Sequence, residues 1–431
     1  MIKVIKDDIL HESMYYKELK NGLEIYVLPK RGYSKQIAIY ATKYGSNDIS
    51  FVVPGEKNPT TVPYGIAHFL EHKLFEEEDG NIFDEYAKLG AHPNAFTNFN
   101  TTAYHFTCTD NFYESLDVLI GFVGRPYFTD ANVEKEKGII GQEILMYEDD
   151  PNWKVFFNML RALYEVHPVR NDIAGTIESI KKIDKELLYR CYNTFYHPSN
   201  MVLFVAGDVE HNKVFDTVES HFDEGVKKQP EIKRIYPDEP RGVVKGQIRQ
   251  NMSVSRPLFA IGFKDAPLDV GGQELLKRIV VNDIITDMFI GPSSNLYTEL
   301  YEKGLIDDSF SSGYEGEKSY GHIIMSGETS DVDTLLELLR EKIKDMDSHT
   351  FNEKLFLQVK KKKMGQFIRS FNYIEAIAYM FVSYFVKDAH LFDYMEALKA
   401  IQYGDIQEQL PNIFDETAMA ISIIEPSGAN L

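Results

Sequence analysis

Hydrophobic and polar positions along the chain follow two periods, and the order in which these periods succeed one another predicts the elements. Residues 15–44 alternate apolar with polar and break at Lys20-Asn21-Gly22 and Lys30-Arg31-Gly32, as two strands opening a sheet would. After a loop marked by Pro54, Gly55 and Pro59, residues 65–75 take a helical period, and Asn81 ahead of Ile82 and Phe83 marks another helix start. Alternation returns over 93–109, succeeded by predicted helices at 112–123 and 131–147. The unbroken apolar run 201–207, closed by Gly207-Asp208, reads as a buried strand. Residues 352–386 keep one helical period and include Lys360, Lys361, Lys362 and Lys363, a basic run expected to form a solvated helix face.

Between 227 and 244 the apolar period lapses into Lys227-Lys228-Gln229-Pro230, Tyr236-Pro237-Asp238-Glu239-Pro240 and Arg241-Gly242, the best linker in the chain. The half of the chain beyond this linker repeats the half before it. Glu85-Tyr86-Ala87-Lys88-Leu89-Gly90, a hairpin to Thr109 and the helix 112–123 match Glu299-Leu300-Tyr301-Glu302-Lys303-Gly304, a hairpin over 309–326 and a helix over 332–343. The run 201–207 pairs in the same way with 419–424. The expected fold class is α+β in two related domains, 1–226 and 245–431, joined by the linker 227–244.

Composition narrows the function classes. The 431 residues carry 46 Lys and Arg against 66 Asp and Glu, a net charge of −20, which lacks the basic surface that nucleic-acid binding requires. The amino terminus, MIKVIKDDILHE, has acidic residues where a secretory signal needs an apolar core, and no stretch approaches a membrane span, so a cytoplasmic protein without membrane contact is expected. Cys108 and Cys191 are too few for a disulfide framework and lack metal-site spacing; two buried free thiols are expected.

The sharpest chemical feature is His68-Phe69-Leu70-Glu71-His72. On a helix, residues four apart share a face, so both imidazoles can reach one ion, with Glu71 projecting beside them. Two imidazoles and a carboxylate with an open fourth position suit zinc, which activates water near neutral pH. A further carboxylate has to come from elsewhere. The acidic helix after Asp130 offers Glu134, Glu136, Glu143 and Glu148. Glu136 and Glu143, seven apart, nearly eclipse on a helix, whereas Glu148 is rotated away. Gly138, Ile139, Ile140 and Gly141 make the surroundings of Glu143 compact and apolar, so its charge needs a partner.

His-x-x-Glu-His with a distant Glu after it resembles the signature of the pitrilysin and insulinase metallopeptidases. The likeness extends to Gly65-Ile66-Ala67-His68, Asn94-Ala95-Phe96-Thr97, His197-Pro198-Ser199-Asn200, Gly207-Asp208 and Gly291-Pro292-Ser293-Ser294, and so covers nearly the whole chain. It implies a half-length, processing-peptidase-like architecture in which a second chain completes an enclosed chamber. Carried over by residue, it makes His68, His72 and Glu143 ligands of one zinc ion per chain and Glu71 the general base. Glu136 becomes a catalytic carboxylate of the outer shell, and Asn94, Ala95 and Phe96 an edge strand on which an extended peptide substrate lies.

One stretch departs from the resemblance. Many relatives carry an Arg and a Tyr in the second domain that donate hydrogen bonds to the bound peptide; here the stretch is Leu300-Tyr301-Glu302-Lys303-Gly304-Leu305-Ile306-Asp307-Asp308. Tyr301 replaces the Arg and Asp the Tyr, and an ionised Asp only accepts hydrogen bonds. The expected reading is therefore a zinc endopeptidase subunit working with a second insulinase-like subunit that carries the Arg and Tyr; a homodimer is the other assembly considered. The alternative function is a non-catalytic, peptide-binding or structural subunit.

Overall fold

A computed structural model describes residues 1–78, 80–222, 225–266, 269–346 and 351–427. The chain divides into two compact units, one of Met1–Ile144, Asp172–Tyr236 and Ser370–Val386, the other of Leu145–Asn171, Pro237–Arg369 and Lys387–Leu431.

In the first unit, strands β1 (Lys3–Asp7), β2 (Glu12–Glu18), β3 (Glu24–Pro29), β4 (Gln36–Thr42), β5 (His92–Thr97), β6 (Thr102–Cys108) and β7 (Met201–Gly207) form one sheet in the order β1-β2-β3-β7-β4-β6-β5. All neighbours are antiparallel except β7 and β3. Every residue of β7 is buried, as its continuous apolar run requires of a strand covered on both faces. The helix Ile374–Phe385 lies against β7 and β4, stacking Phe381 on Phe204 with ring centroids 4.3 Å apart. The helices α1 (Ile66–Leu74), α2 (Ile82–Leu89) and α3 (Phe112–Val123) flank the β5–β6 hairpin in the chain, the first two before it and the third after it, and α1 packs on both of its strands. A longer helix, α4 (Asp130–Asp149), comes next.

In the second unit, β8 (Gln247–Met252), β9 (Leu258–Asp265), β10 (Ser311–Gly316), β11 (Gly321–Glu328) and β12 (Met419–Pro426) are ordered β8-β12-β9-β11-β10. Strand β12 is parallel to β8 and antiparallel to β9, which repeats the relation of β7 to β3 and β4. The helix Pro151–Leu163 packs on β9 and β12, closely enough that a Cβ at Gly262 would lie 2.4 Å from Met159 Sδ. The repeat read from the sequence is thus present in full: α2 and the helix Asn295–Glu302 both stop at a left-handed glycine, Gly90 (φ 70°) and Gly304 (φ 67°), ahead of equivalent hairpins.

Four expectations change. The continuous boundaries 1–226 and 245–431 give way to interleaved units, because the helix Pro151–Leu163 buries its apolar face on the second sheet and Ile374–Phe385 buries its own on the first. The helix expected over 352–386 is two helices, Glu353–Ser370 and Ile374–Phe385, broken at Phe371-Asn372-Tyr373. Lys361 is exposed, but the other three lysines are tied down and not left in a solvated face: Lys362 and Lys363 pair with Asp287 and Asp283 at 2.8 and 2.7 Å, and Lys360 donates to the carbonyls of Lys399 and Ile401. The linker is anchored at both ends. Lys233–Arg234 pairs with Ser50–Val52, and Glu239 accepts from the backbone N–H groups of Glu165, Val166 and His167 and from Lys264. Cys108 and Cys191 are buried free thiols as expected, and no described helix is long and apolar enough to cross a membrane.

Candidate metal centre

Helix α1 starts at Gly65, whose φ of 88° and whose contact with Ala174, 2.4 Å from a Cβ to the carbonyl oxygen, exclude any side chain. The helix buries Ile66, Phe69, Leu70 and Leu74, and His68, Glu71 and Lys73 with them. Polar groups enclosed in this way need partners, and α4 supplies two of them. His68 and His72 lie on one face with ring centroids 4.6 Å apart. Opposite them, Glu143 places Oε1 3.6 Å from His68 Nε2 and Oε2 3.5 Å from His72 Nε2. One donor atom from each residue can be chosen so that all three lie within 4.8 Å of one another. Donors around a tetrahedral zinc ion stand about 3.4 Å apart, so the group fits this metal in spacing as well as in donor type.

Glu136, about two helical turns before Glu143, is buried and sits 3.1 Å from His72 Nδ1. A carboxylate in that place accepts the Nδ1 proton and leaves the Nε2 lone pair directed at the shared centre. Behind it stands Lys73, fully enclosed, 3.7 Å from Glu136 and hydrogen-bonded to Glu76. The remaining acids of the helix point elsewhere: Glu134 pairs with Lys137 and Glu148 approaches Lys154, both largely exposed.

The electrostatics divide the two histidines. Burial, aided by neighbouring His72, pulls His68 down to about 3, so the ring is neutral and available as a ligand. Burial also pulls on His72, but the Glu136 hydrogen bond and the charges of Glu143, Glu136 and Glu71 outweigh it and raise the ring above its ordinary value. Glu71 is raised by burial, against the hydrogen bond from Thr97 and the charge of His72. Burial would raise Glu136 too, but His72 and Lys73 hold it below the usual carboxylate range.

Asn94, Ala95 and Phe96 lie on β5, the edge strand beside α1. The alternation of a strand turns adjacent residues to opposite faces. Phe96 packs against Tyr379 on the helix Ile374–Phe385, ring centroids 5.7 Å apart, whereas Thr97 hydrogen-bonds Glu71. Sequence reasoning missed the parts played by Thr97, Lys73 and Glu76. Thr97 stood in a stretch already singled out, and the period of two was the signal that would have turned it toward α1. Other stretches sharing the resemblance prove structural here: Asn200 bonds the carbonyls of Lys43 and Phe195, Asp208 accepts from Gly32 N–H, and Ser294 caps the helix Asn295–Glu302.

The second unit fills the corresponding place differently. The helix Gly272–Ile290, packed on the edge strand β10, carries Arg278 and Asn282 at the same i, i+4 spacing, and both bind Asp265, at 2.5 and 3.1 Å. Tyr314 of β10 donates to the same carboxylate at 2.7 Å. Farther along the chain, Tyr301 is half exposed, and Asp307 accepts from Arg256 at 2.9 Å and from Ser309.

The chain is similar to known proteins along most of its length. Residues 52–177 match the family model described as insulinase, peptidase family M16, and residues 182–363 match the M16 inactive domain. A Bacillus subtilis protein described as the uncharacterized zinc protease YmfH is 44% identical over 408 residues, 94% of this chain and 95% of its own. A mitochondrial-processing peptidase beta subunit of Arabidopsis thaliana is 27% identical over 47% of this chain and 39% of its own. The crystal structure of an M16-like peptidase from Alicyclobacillus acidocaldarius superposes with a TM-score of 0.93 at 33% identity, covering 98% of this chain and all of that one. The His-x-x-Glu-His motif, the duplicated α+β fold and these likenesses along nearly the full length make the chain a member of the M16, or insulinase, family of peptidases.

Proposed function

We propose that the chain is a zinc-dependent endopeptidase subunit that hydrolyses peptides or small unfolded proteins. The observation that carries this reading is the meeting of His68, His72 and Glu143 around one centre, with the Glu71 carboxylate on the same helix. These three side chains would hold one zinc ion. Zinc bound there supplies Lewis-acid polarisation of a scissile carbonyl and makes water acidic enough to attack it near neutral pH. Glu71 takes the proton of the attacking water and delivers it to the leaving nitrogen. Its elevated affinity for protons, caused by burial, suits a group that must accept one near neutral pH. Glu136 fixes the tautomer of His72, and β5 offers the backbone groups of Asn94, Ala95 and Phe96 to an extended peptide without demanding one sequence.

The second unit supports a paired assembly. Tyr301 and Asp307 stand where the resemblance calls for donors, and Asp307 already accepts from Arg256 and Ser309. A partner subunit bearing Arg and Tyr would complete the site, an arrangement in keeping with the relative named as one subunit of a processing peptidase. Metal analysis of the purified chain, with peptide cleavage measured before and after chelation and zinc return, tests the proposal. Absence of stoichiometric zinc, together with no effect of added zinc on stability or cleavage, would leave the non-catalytic reading in its place.

A further inference from the structure

The hydroxyl of Thr97 donates to Glu71 Oε2 at 2.6 Å, the one side-chain hydrogen bond that this carboxylate accepts among the described residues. Its place is set by the β5–β6 hairpin. Thr97 ends β5 and pairs in register with Thr102 of β6, whose hydroxyl lies 3.2 Å from its own and 2.9 Å from the Tyr44 carbonyl. Each threonine has a single proton to donate. An ionised carboxylate only accepts, so the proton of Thr97 goes to Glu71, and the carbonyl of Tyr44 takes that of Thr102. With both protons so committed, none lies between the two hydroxyl oxygens, and it is the register of β5 on β6 that holds Thr97 in place.

We infer that Thr97 is a positioning residue for Glu71, holding one carboxylate oxygen so that the other is presented to the reacting water. The inference rests on the reading of Glu71 as general base. It adds a coupling between substrate and chemistry: the strand whose residues Asn94, Ala95 and Phe96 would pair with a peptide ends in the side chain that orients the base.

The test compares Thr97→Val, which keeps the shape and removes the hydroxyl, with Thr97→Ser, which keeps the hydroxyl, both as full-length zinc-loaded chain, with the partner subunit if turnover requires it. Thr97→Val should lower kcat about ten- to a hundredfold, the worth of a hydrogen bond to a charged group, with KM and zinc affinity unchanged. Thr97→Ser should restore most of the rate, and in a Glu71→Gln background Thr97→Val should have no further effect. Thr97→Ala stands in if valine disturbs the strand, as its thermal midpoint would reveal. An unchanged kcat, a loss that serine does not rescue, or an equal loss in the Glu71→Gln background overturns the inference. Near-native turnover by Glu71→Gln alone would instead remove the general-base reading, so the two failures are distinguishable.

Discussion

Replacing Glu143 by Gln preserves the outline of the side chain and removes its charge. Both oxygens face imidazole nitrogens, at 3.6 and 3.5 Å, so the substitution takes one of three donors from the centre. Of the three donor residues Glu136 reaches only His72, at the nitrogen turned away from the centre; its loss leaves all three donors in place and should weaken zinc about 10- to 100-fold. Glu143→Gln should therefore fall below that range, losing more than about 100-fold, or about 2.7 kcal/mol of binding. Glu148, on another face of the same helix and mostly exposed, should change affinity by no more than about twofold. Linkage gives a second measure: at free zinc 100 times the wild-type dissociation constant the protein gains about 2.7 kcal/mol of stability, and a variant weakened a hundredfold gains only about 0.4 kcal/mol. Titration against a chromophoric chelator, paired with thermal unfolding with and without zinc, reads both. Equal affinities for Glu143→Gln and Glu148→Gln, or a larger loss at Glu136 than at Glu143, would refute the ligand assignment.

Glu71→Gln should lower turnover by about two to four orders of magnitude while zinc stays bound, because it removes a base and no ligand; near-native peptide cleavage would exclude Glu71. The isolated zinc-loaded chain should cleave poorly, and a companion bearing Arg and Tyr should raise the rate by about two to three orders of magnitude. A homodimer cannot supply the missing donors, since every copy carries Tyr301, Asp307 and Asp308; full activity at high dilution would return the search for a donor to this chain, with Arg256 the first residue to replace. Burial holds His322 of the second unit down to about 3, well below its unfolded value. The unfolded chain then binds the extra proton first, so this contribution is complete above about pH 6.5, falls by about 2 kcal/mol at pH 5, and is lost as pH drops through the folded value. His322→Gln should flatten the acid limb of the melting curve; identical slopes would count against it.

Much of this molecule was legible because its patterns are local. The period of four between His68 and His72 and the period of seven between Glu136 and Glu143 are properties of single helices, and the duplicated hairpins keep their order along the chain. Register and handedness were not legible. That β7 lies between β3 and β4, parallel to one and antiparallel to the other, depends on burial of both its faces and on no turn nearby in sequence. The interleaving of the units escaped for a related reason: the apolar faces of Pro151–Leu163 and Ile374–Phe385 announce burial but not the sheet that receives them. The lysines at 360–363 misled because a charge run is usually solvated, whereas here Asp283 and Asp287 on the helix Gly272–Ile290 are placed to receive two of them. Thr97 shows the same limit at the site. Its direction followed from alternation, but its partner on α1 required the two elements to be packed together.

The paired helices of the duplication meet the problem of buried charge in opposite ways. In the second unit, the Asp265 carboxylate is met by the Arg278 guanidinium, a cation built into the chain and present from the moment the helix forms. In the first, Glu136 is met by His72 and Lys73, and Glu143 faces His68 and His72, where the proposed zinc ion would bring a cation from outside the chain. On that proposal the two halves would mature on unequal terms. One would reach its final state from its own residues, while the other would also need the metal, so on the proposed zinc reading a nascent chain starved of zinc would be half finished, with the incomplete half being the one that carries Glu71.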